Sequence, residues 1–194
     1  RQMCIRDRNM ESYGILDAMG LTSRIVLDAN IYTMNNRAEA FWMKKGILGD
    51  TVPLELNAKE LVHRNNKNSE LTVYGYTPMM VSVQCVQKTM DHCNHACVQY
   101  VLKDRYQKEF RGVCSCEFCY NTIYNTLPTS LLKEKEKAEK LGVKAYRLSF
   151  TIETQQETEK IVRAFVDVYL RGQKPDGQMQ TEETTKGHFQ RGVE

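Results

Sequence analysis

Short apolar runs alternate with amphipathic stretches in the first part of the chain. Three apolar runs predict strands, at residues 24–29, 51–56 and 71–76. Helix-forming stretches predict helices at residues 37–45, which end at Gly46, and at residues 58–65, which Asn57 is placed to cap. This part of the chain therefore has the strand–helix order of βα units.

The regular pattern lapses in the middle of the chain and then returns. Further elements are predicted as a helix at 130–141 ended by Gly142, a strand at 145–150, a long helix at 154–170 and a loop at 172–183. In the long helix the predicted buried face consists of Ile161, Val162, Phe165, Val166 and Tyr169. About four βα units are fewer than the eight of a closed barrel. We therefore predict an α/β fold of partial TIM-barrel-like (βα) repeats with a cysteine-rich insertion at about residues 78–125.

Composition adds little to this prediction. Of the 194 residues, 41% are hydrophobic and 26% are charged, which suits a globular domain with an ordinary surface. The formal net charge of +3 is too small to indicate nucleic-acid binding by itself. There is no secretory signal and no run of about 18 apolar residues. We therefore predict a cytoplasmic protein that does not enter a membrane.

The first eight residues, Arg-Gln-Met-Cys-Ile-Arg-Asp-Arg, resemble the translation of a sequencing-library adapter. The alternative is a natural basic segment. On the first interpretation residues 1–8 are an artefact, natural sequence begins near Asn9 or Met10, and residues 9–194 are the C-terminal part of a longer protein.

Six of the seven cysteines lie between positions 85 and 119, which indicates metal ligands gathered at one place. Cys116 and Cys119 form a Cys-x2-Cys pair, whose short spacing lets both sulfurs reach one ion. Cys85 and Cys93 supply the other expected pair. The spare donors are Cys97, Cys114, His92 and His95. Two alternatives stay open, namely buried apolar cysteines and disulfides. Ligand type alone leaves both zinc and a four-iron four-sulfur cluster possible.

Longer motifs carry a family resemblance. Residues 73–85 read Val-Tyr-Gly-Tyr-Thr-Pro-Met-Met-Val-Ser-Val-Gln-Cys, and residues 116–121 read Cys-Glu-Phe-Cys-Tyr-Asn. Together with residues 102–105, 122–125, 146–153 and 186–194, these motifs resemble peptidase family U32, the collagenase-like peptidases. The resemblance covers nearly all of residues 9–194. It implies a TIM-barrel-like domain and a metal set of Cys85, Cys93, Cys116 and Cys119, although many members have a cysteine where Pro78 stands here.

Three functions are expected, the first two from the resemblance and the third from the truncation of the chain. The first is oxygen-independent hydroxylation of an rRNA or tRNA pyrimidine by a protein with a cysteine-ligated metal centre. The second is hydrolysis of a peptide substrate, and the third is a non-catalytic scaffold half whose partner is the missing N-terminal part of the same protein.

Residue types suggest roles for several side chains outside the cysteines. Glu55, at the end of a predicted strand, and His188, in the C-terminal segment, are the candidate catalytic residues. The cations Arg147, Lys186 and Arg191 are candidates for binding an anionic substrate or RNA phosphates. Tyr76 is a candidate for stacking on a base, with Tyr74, Tyr120 and Tyr124 as further aromatics. Each has a plainer alternative as an ion-paired, solvated or packed side chain.

Overall fold

The computed structural model describes residues 4–90, 93–175 and 183–193. Its strands and helices are, in chain order, β1 (Ile5–Asp7), α1 (Met10–Ala18), β2 (Ile25–Leu27), α2 (Asn36–Lys44), β3 (Gly49–Thr51), α3 (Ala58–Val62), β4 (Ser69–Gly75), β5 (Pro78–Ser82), α4 (Val86–Thr89), β6 (Gln99–Lys103), β7 (Glu109–Ser115), β8 (Tyr120–Tyr124), β9 (Thr129–Ser130), α5 (Lys135–Lys140), β10 (Ala145–Ser149) and α6 (Gln155–Phe165). They form two compact units. Of the described residues, one unit contains 4–73, 131–148 and 186–193, and the other contains 74–90, 93–130, 149–175 and 183–185.

The first unit is built on a curled, mainly parallel sheet that forms a half-barrel. Its strand order is β1-β2-β3-β4-β10, and the β1–β2, β2–β3 and β3–β4 pairs are parallel. Arg6 of β1 forms an ion pair with Glu70 of β4. In a flat sheet these strands would lie about 14 Å apart, at about 4.8 Å per strand. Because the two side chains nevertheless meet, the sheet curls toward the face that carries them.

The opposite face of this sheet packs against helices. Ile25 and Leu27 of β2 are fully buried and form a core with Tyr13, Trp42 and Ile47. The rings of Tyr13 and Trp42 meet edge to face, with their centroids 4.8 Å apart. The mixed α/β class predicted from the sequence is thus confirmed, with a half-barrel of parallel strands.

Capping side chains determine where the helices begin. The side chain of Asn35 accepts hydrogen bonds from the first backbone N–H groups of α2. Asn57 caps α3 as predicted, and Glu60 bonds back to the Asn57 N–H, which completes a capping box. Thr154 and Glu157 form the same motif at the start of α6.

A buried ion pair lies beneath α3. Asp50 of β3 and Arg64 form this pair with side chains only 3% and 2% exposed. Asp50 also accepts a 2.6 Å hydrogen bond from Ser69 of β4 and one from the hydroxyl of Thr33. Arg64 donates in addition to the Thr33 carbonyl and to Asn66. The pair therefore ties two neighbouring strands to the segments that follow β2 and α3.

The second unit contains an antiparallel sheet of strand order β5-β8-β7-β6. Alternate residues of β7 and β8 are buried on one face, namely Gly112, Cys114, Asn121 and Ile123. The edge strand β5 instead leaves Met79, Met80 and Val81 exposed to solvent. This sheet carries or borders all six clustered cysteines.

Several sequence predictions need correction. The strand predicted at 51–56 is β3 at Gly49–Thr51, since Pro53 cannot donate to a ladder and the pairing ends before it. The helix predicted at 154–170 is α6 followed by a π-helical turn, Val166–Leu170. Ala164, Phe165 and Val168 are buried, whereas Val162, which belongs to the predicted buried face, is exposed. Part of the predicted loop at 172–183 lies outside the described residues.

The segment expected to be an adapter artefact contributes β1 to the sheet edge. A strand edge pairs with any extended segment through backbone groups alone. The pairing therefore does not test whether residues 1–8 are an adapter artefact, and that interpretation stays a prediction. In the described ranges no helix is long and apolar enough to cross a membrane.

We expect Arg64→Leu to destabilise the first unit by about 3–5 kcal/mol, because Asp50 would remain buried without its cation. Urea unfolding at pH 7 measures the change. The matched control is Arg163→Leu, which removes an ion pair to Glu159 whose side chains are 75% and 58% exposed, and it should cost less than about 1 kcal/mol. Equal effects of the two substitutions would contradict the assignment of Asp50–Arg64 as a structural pair.

Candidate functional site

Three cysteine sulfurs lie in a row in the second unit. The Sγ atom of Cys114 is 3.7 Å from that of Cys85 and 3.5 Å from that of Cys116. Cys114 is fully buried, Cys85 is nearly so and Cys116 is partly exposed. Cys114, which the sequence analysis treated as a spare donor, is thus the central member of this thiol row.

Local structure explains why these three cysteines meet. Cys114 points to the buried face of β7, whereas Cys116 lies in the four-residue loop that joins β7 to β8. Cys85 immediately precedes α4. The Nδ2 atom of the buried Asn121 donates a 2.9 Å hydrogen bond to the carbonyl of Gln84, the residue before Cys85. Since Asn121 is the cross-strand partner of Cys114, one residue positions both the chain at Cys85 and the strand at Cys114.

The surroundings act differently on the two inner thiols. A hydrogen bond from the backbone N–H of Lys88 lowers the pKa of Cys85, and this effect exceeds that of burial. Burial is the main cause that raises the pKa of Cys114 to about 12, and the neighbouring thiols Cys116 and Cys85 add to it. Without a cation, Cys114 is therefore a neutral thiol at physiological pH.

Polar atoms near the row lack partners. The Oδ1 atom of Asn121, the Oε1 atom of Gln87 and the hydroxyl of Tyr100 are buried without a hydrogen-bond partner among the described residues. The ring of Tyr100 lies directly over Gly112, where any Cβ atom would clash with it. Burial raises the pKa of this tyrosine, and charge on Cys114 and Cys85 raises it further.

The four expected ligands are not gathered at one point. Cys93 and Cys119 are exposed, and the Cys119 thiol points to the Cys116 carbonyl at 3.7 Å. His92 lies outside the described residues. Within the part of the chain that the structure covers, no group of three or more His, Cys, Asp and Glu side chains is arranged to hold a metal ion. The four-cysteine set stays a prediction.

The sulfurs of the thiol row are nevertheless the donor type that thiophilic ions prefer. Four sulfurs at 2.3 Å from a tetrahedral zinc lie about 3.8 Å from one another. The two measured separations, 3.7 and 3.5 Å, are close to this value. No described contact joins Cys85 to Cys116, so the three cysteines as placed would have to move closer together to hold a metal, which there would supply Lewis acidity or, as iron, electron transfer.

A charged cluster lies where β2 ends in the first unit. Asp28, directly after β2, accepts bonds from Arg147 of β10 at 2.7 Å and from Arg8 at 2.8 Å. Burial raises the pKa of Asp28, but the bonds and charges of Arg147, the Ala29 N–H and Arg8 together outweigh it and lower that pKa below its ordinary value. Arg147, expected to bind substrate, is engaged by Asp28, a residue that the sequence analysis did not single out.

The two candidate catalytic residues lie in different segments of the first unit. Glu55 follows β3 by four residues, and its Oε2 atom is buried without a partner among the described residues. His188 is exposed, and its Nδ1 atom is 3.0 Å from the Gly192 carbonyl. A Cβ atom on Gly192 would lie 2.9 Å from the Asn57 side chain. The C-terminal segment thus packs beside the loop that contains Glu55, but no described contact joins Glu55 to His188.

The remaining predicted substrate-binding residues differ in their surroundings. Lys186 forms an ion pair with the nearly buried Glu134, and Arg191 is exposed. Tyr76 is buried, which suits packing, while Tyr120 and Tyr124 are partly exposed. Their roles in binding a substrate stay predictions.

We expect Arg147→Gln to destabilise the chain by about 1–3 kcal/mol at pH 7, because Asp28 loses its closest cation in a buried setting. Asp28 has a lowered pKa in the folded state, so its contribution is present above the unfolded pKa of about 3.9 and is lost as pH falls through the lower folded value. The difference from the parent chain should therefore shrink in urea unfolding below about pH 4.

Arg8→Gln is the matched control for this pair, because it removes the other cation of Asp28 from a side chain that is 66% exposed. It should cost less than about 1 kcal/mol. An Arg147→Gln effect that is equally large at pH 7 and at acid pH would show that the substitution acts through packing rather than through Asp28.

No protein-family model, no curated protein and no solved structure matches this chain. The likeness to family U32 therefore stays a prediction from the sequence motifs.

Proposed function

We propose that this chain is part of a U32-type protein whose cysteines bind a metal centre that serves oxygen-independent hydroxylation of an rRNA or tRNA pyrimidine. The observation that carries the metal centre is the row of three thiols formed by Cys85, Cys114 and Cys116. Three sulfurs in successive contact, next to buried polar atoms without partners among the described residues, do not resemble apolar cysteines packed in a core. The centre is a four-iron four-sulfur cluster or a zinc ion.

The proposal of an RNA substrate is supported by other features of the chain. The half-barrel sheet suits a TIM-barrel-like domain, in which catalytic residues lie at the carboxyl ends of the strands. Asp28 and Arg147 meet at the end of β2, and Arg191 is an exposed cation of the same unit. A guanidinium binds phosphate in two-pronged geometry. The choice of a pyrimidine base comes from the family resemblance.

Deletion of the gene for the full-length protein tests this function. We expect one pyrimidine of rRNA or tRNA, digested to nucleosides, to lose the mass of one oxygen atom in the deletion strain, including in cells grown without oxygen. The parent gene should restore it, Cys85→Ser should not, and Cys97→Ser, which changes an exposed cysteine outside the row, should. Unchanged nucleosides in both RNA classes would refute the hydroxylation proposal.

A collagenase-like peptidase is the second candidate, favoured by one observation. The Oε2 atom of Glu55 is buried and has no partner among the described residues, as expected for a carboxylate kept available to act as a general base. We expect a peptidase of this kind to cleave a denatured collagen peptide and to lose at least about 100-fold in rate with Glu55→Gln. Glu136→Gln, at an exposed position of α5, should leave the rate unchanged. Cleavage that persists in Glu55→Gln would remove Glu55 from the mechanism.

A further inference from the structure

We propose that the hairpin of β6 and β7 in the second unit binds a single-stranded stretch of RNA through Arg105, Tyr106, Lys108 and Arg111. This inference rests on the proposed function, which requires an RNA substrate, and it names the surface that holds that RNA. It depends on no cysteine and on no metal.

The hairpin concentrates positive charge that the chain as a whole does not show. Residues 103–111 contain four Lys and Arg side chains and two Asp and Glu side chains. Their formal charge is therefore +2 within nine residues, in a chain whose total is +3. A cluster of cations on one hairpin attracts phosphates locally, even where the net charge of the whole chain does not indicate nucleic-acid binding.

Both carboxylates of the hairpin already have partners within it. The Oδ1 atom of Asp104 accepts backbone hydrogen bonds from Tyr106 at 2.8 Å and from Lys108 at 2.9 Å. Glu109 forms an ion pair with Lys103, with 3.0 Å between Oε1 and Nζ. One carboxylate thus stabilises the turn, and the other is occupied by one of the four cations.

Three cations of the hairpin remain available to a partner. Arg105, Lys108 and Arg111 are all exposed. Among the described residues, no ion pair joins any of the three to a carboxylate. Phosphate oxygens are anionic acceptors that suit both guanidinium and ammonium groups, so charge complementarity favours a phosphate-bearing partner.

An exposed aromatic ring accompanies these cations at the tip of the hairpin. Tyr106 is 68% exposed, and the Cζ atom of Arg105 lies 4.7 Å from the centroid of its ring. Aromatic rings and guanidinium planes are both surfaces on which nucleobases stack. An acidic peptide would engage the cations alone. The exposed ring therefore favours RNA with unpaired bases as the partner.

The turn at the tip holds these groups in a fixed arrangement. The Gln107 N–H donates to the Asp104 carbonyl at 3.0 Å, and the Asp104 N–H donates to the Lys108 carbonyl at 3.1 Å. Gln107 lies in the left-handed region at φ 62°, which glycine adopts with less strain. The glutamine adds an exposed amide with a donor and an acceptor for a base edge. A tip that is already ordered loses little conformational entropy when RNA binds.

The open face of the hairpin extends this surface beyond the tip. Arg111 lies two residues, or about 7 Å, along β7 from Glu109. It alternates with the buried Gly112, so its side chain belongs to the opposite, exposed face of the sheet. Its cross-strand partner Val101 is 51% exposed. RNA bound at the tip can therefore continue along β7 to a further cation.

The experiment measures binding of the 194-residue chain to a fluorescently labelled, unstructured single-stranded RNA of about 20 nucleotides, by anisotropy at several salt concentrations. In single strands each phosphate contact contributes about 0.7 to the slope of log K against log salt concentration. Lys108→Gln should therefore weaken binding and reduce this slope by about 0.7. The matched control is Lys44→Gln, which removes an exposed cation of α2 and should change neither the affinity nor the slope.

A second pair of variants tests stacking separately from charge. Tyr106→Ala should weaken binding by about 5-fold or more at every salt concentration. The salt slope should stay unchanged, because stacking on a neutral ring releases no counterions. Tyr106→Phe keeps the ring and should bind as the parent chain does. Since Tyr106 and Lys108 are both exposed, none of these substitutions alters the core of the unit.

The outcomes separate the inference from the function on which it rests. Absence of RNA binding by the parent chain, or unchanged affinity in both Lys108→Gln and Tyr106→Ala, would overturn the hairpin as the RNA surface. Loss of a hydroxylated pyrimidine in the deletion strain would then still support the proposed function. Displacement of the RNA by polyglutamate as readily as by unlabelled RNA would show a general anion surface and would also overturn the inference. Hairpin-dependent RNA binding with unchanged nucleosides in the deletion strain would retain the inference and refute hydroxylation.

Discussion

The half-barrel of the first unit depends on one buried electrostatic interaction. Asp50 lies in the middle of a three-residue strand, where a carboxylate without a cation would be strongly unfavourable. Arg64, two residues after α3, supplies the cation, and the hydroxyls of Ser69 and Thr33 donate further hydrogen bonds to Asp50. Because the pair is only favourable when strands β3 and β4 and the two loops are all in place, it favours one register of the sheet over others. Asp28 and Glu55 are positioned by the strands that this register fixes.

Much of the first unit could be predicted from local patterns. The apolar run at β2, the helix α2 before Gly46 and the cap at Asn57 depend on neighbours in sequence. The cap is at the predicted residue, and the predicted bounds of β2 and α2 lie within two residues of the observed ones. Two predictions, the bounds of β3 and the regular helix at 154–170, were wrong for different physical reasons. The start of β3 at Gly49 depends on its ladder partners, which the local sequence does not show, whereas its end before Pro53 follows from the missing N–H group of proline. The predicted helix at 154–170 assumes a regular period of 3.6 residues to its end, whereas its last five residues form a π-helical turn.

The candidate site was harder to predict, because spacing identifies cysteines that are near in sequence rather than those that face one another. Cys116 and Cys119 share a loop, yet their thiols point differently, while Cys85 reaches Cys114 across 29 positions. The signal that distinguishes Cys114 is its alternation with Gly112 on the buried face of β7, and with Asn121 opposite. This signal requires a strand at Glu109–Ser115, in a segment for which the sequence predicted only a cysteine-rich insertion.

The order of strands in the second sheet has a consequence for how the thiol row assembles in time. Strands β6, β7 and β8 are joined by short loops, so they can pair as soon as they have been synthesised. Strand β5 precedes them in sequence but pairs with β8, the last of the three. Until β8 has emerged, β5 and the adjacent Cys85 have no place to dock, while Cys114 and Cys116 are already neighbours on one hairpin. Cys114 and Cys116 are thus neighbours first, and Cys85, although it is synthesised before them, joins them last.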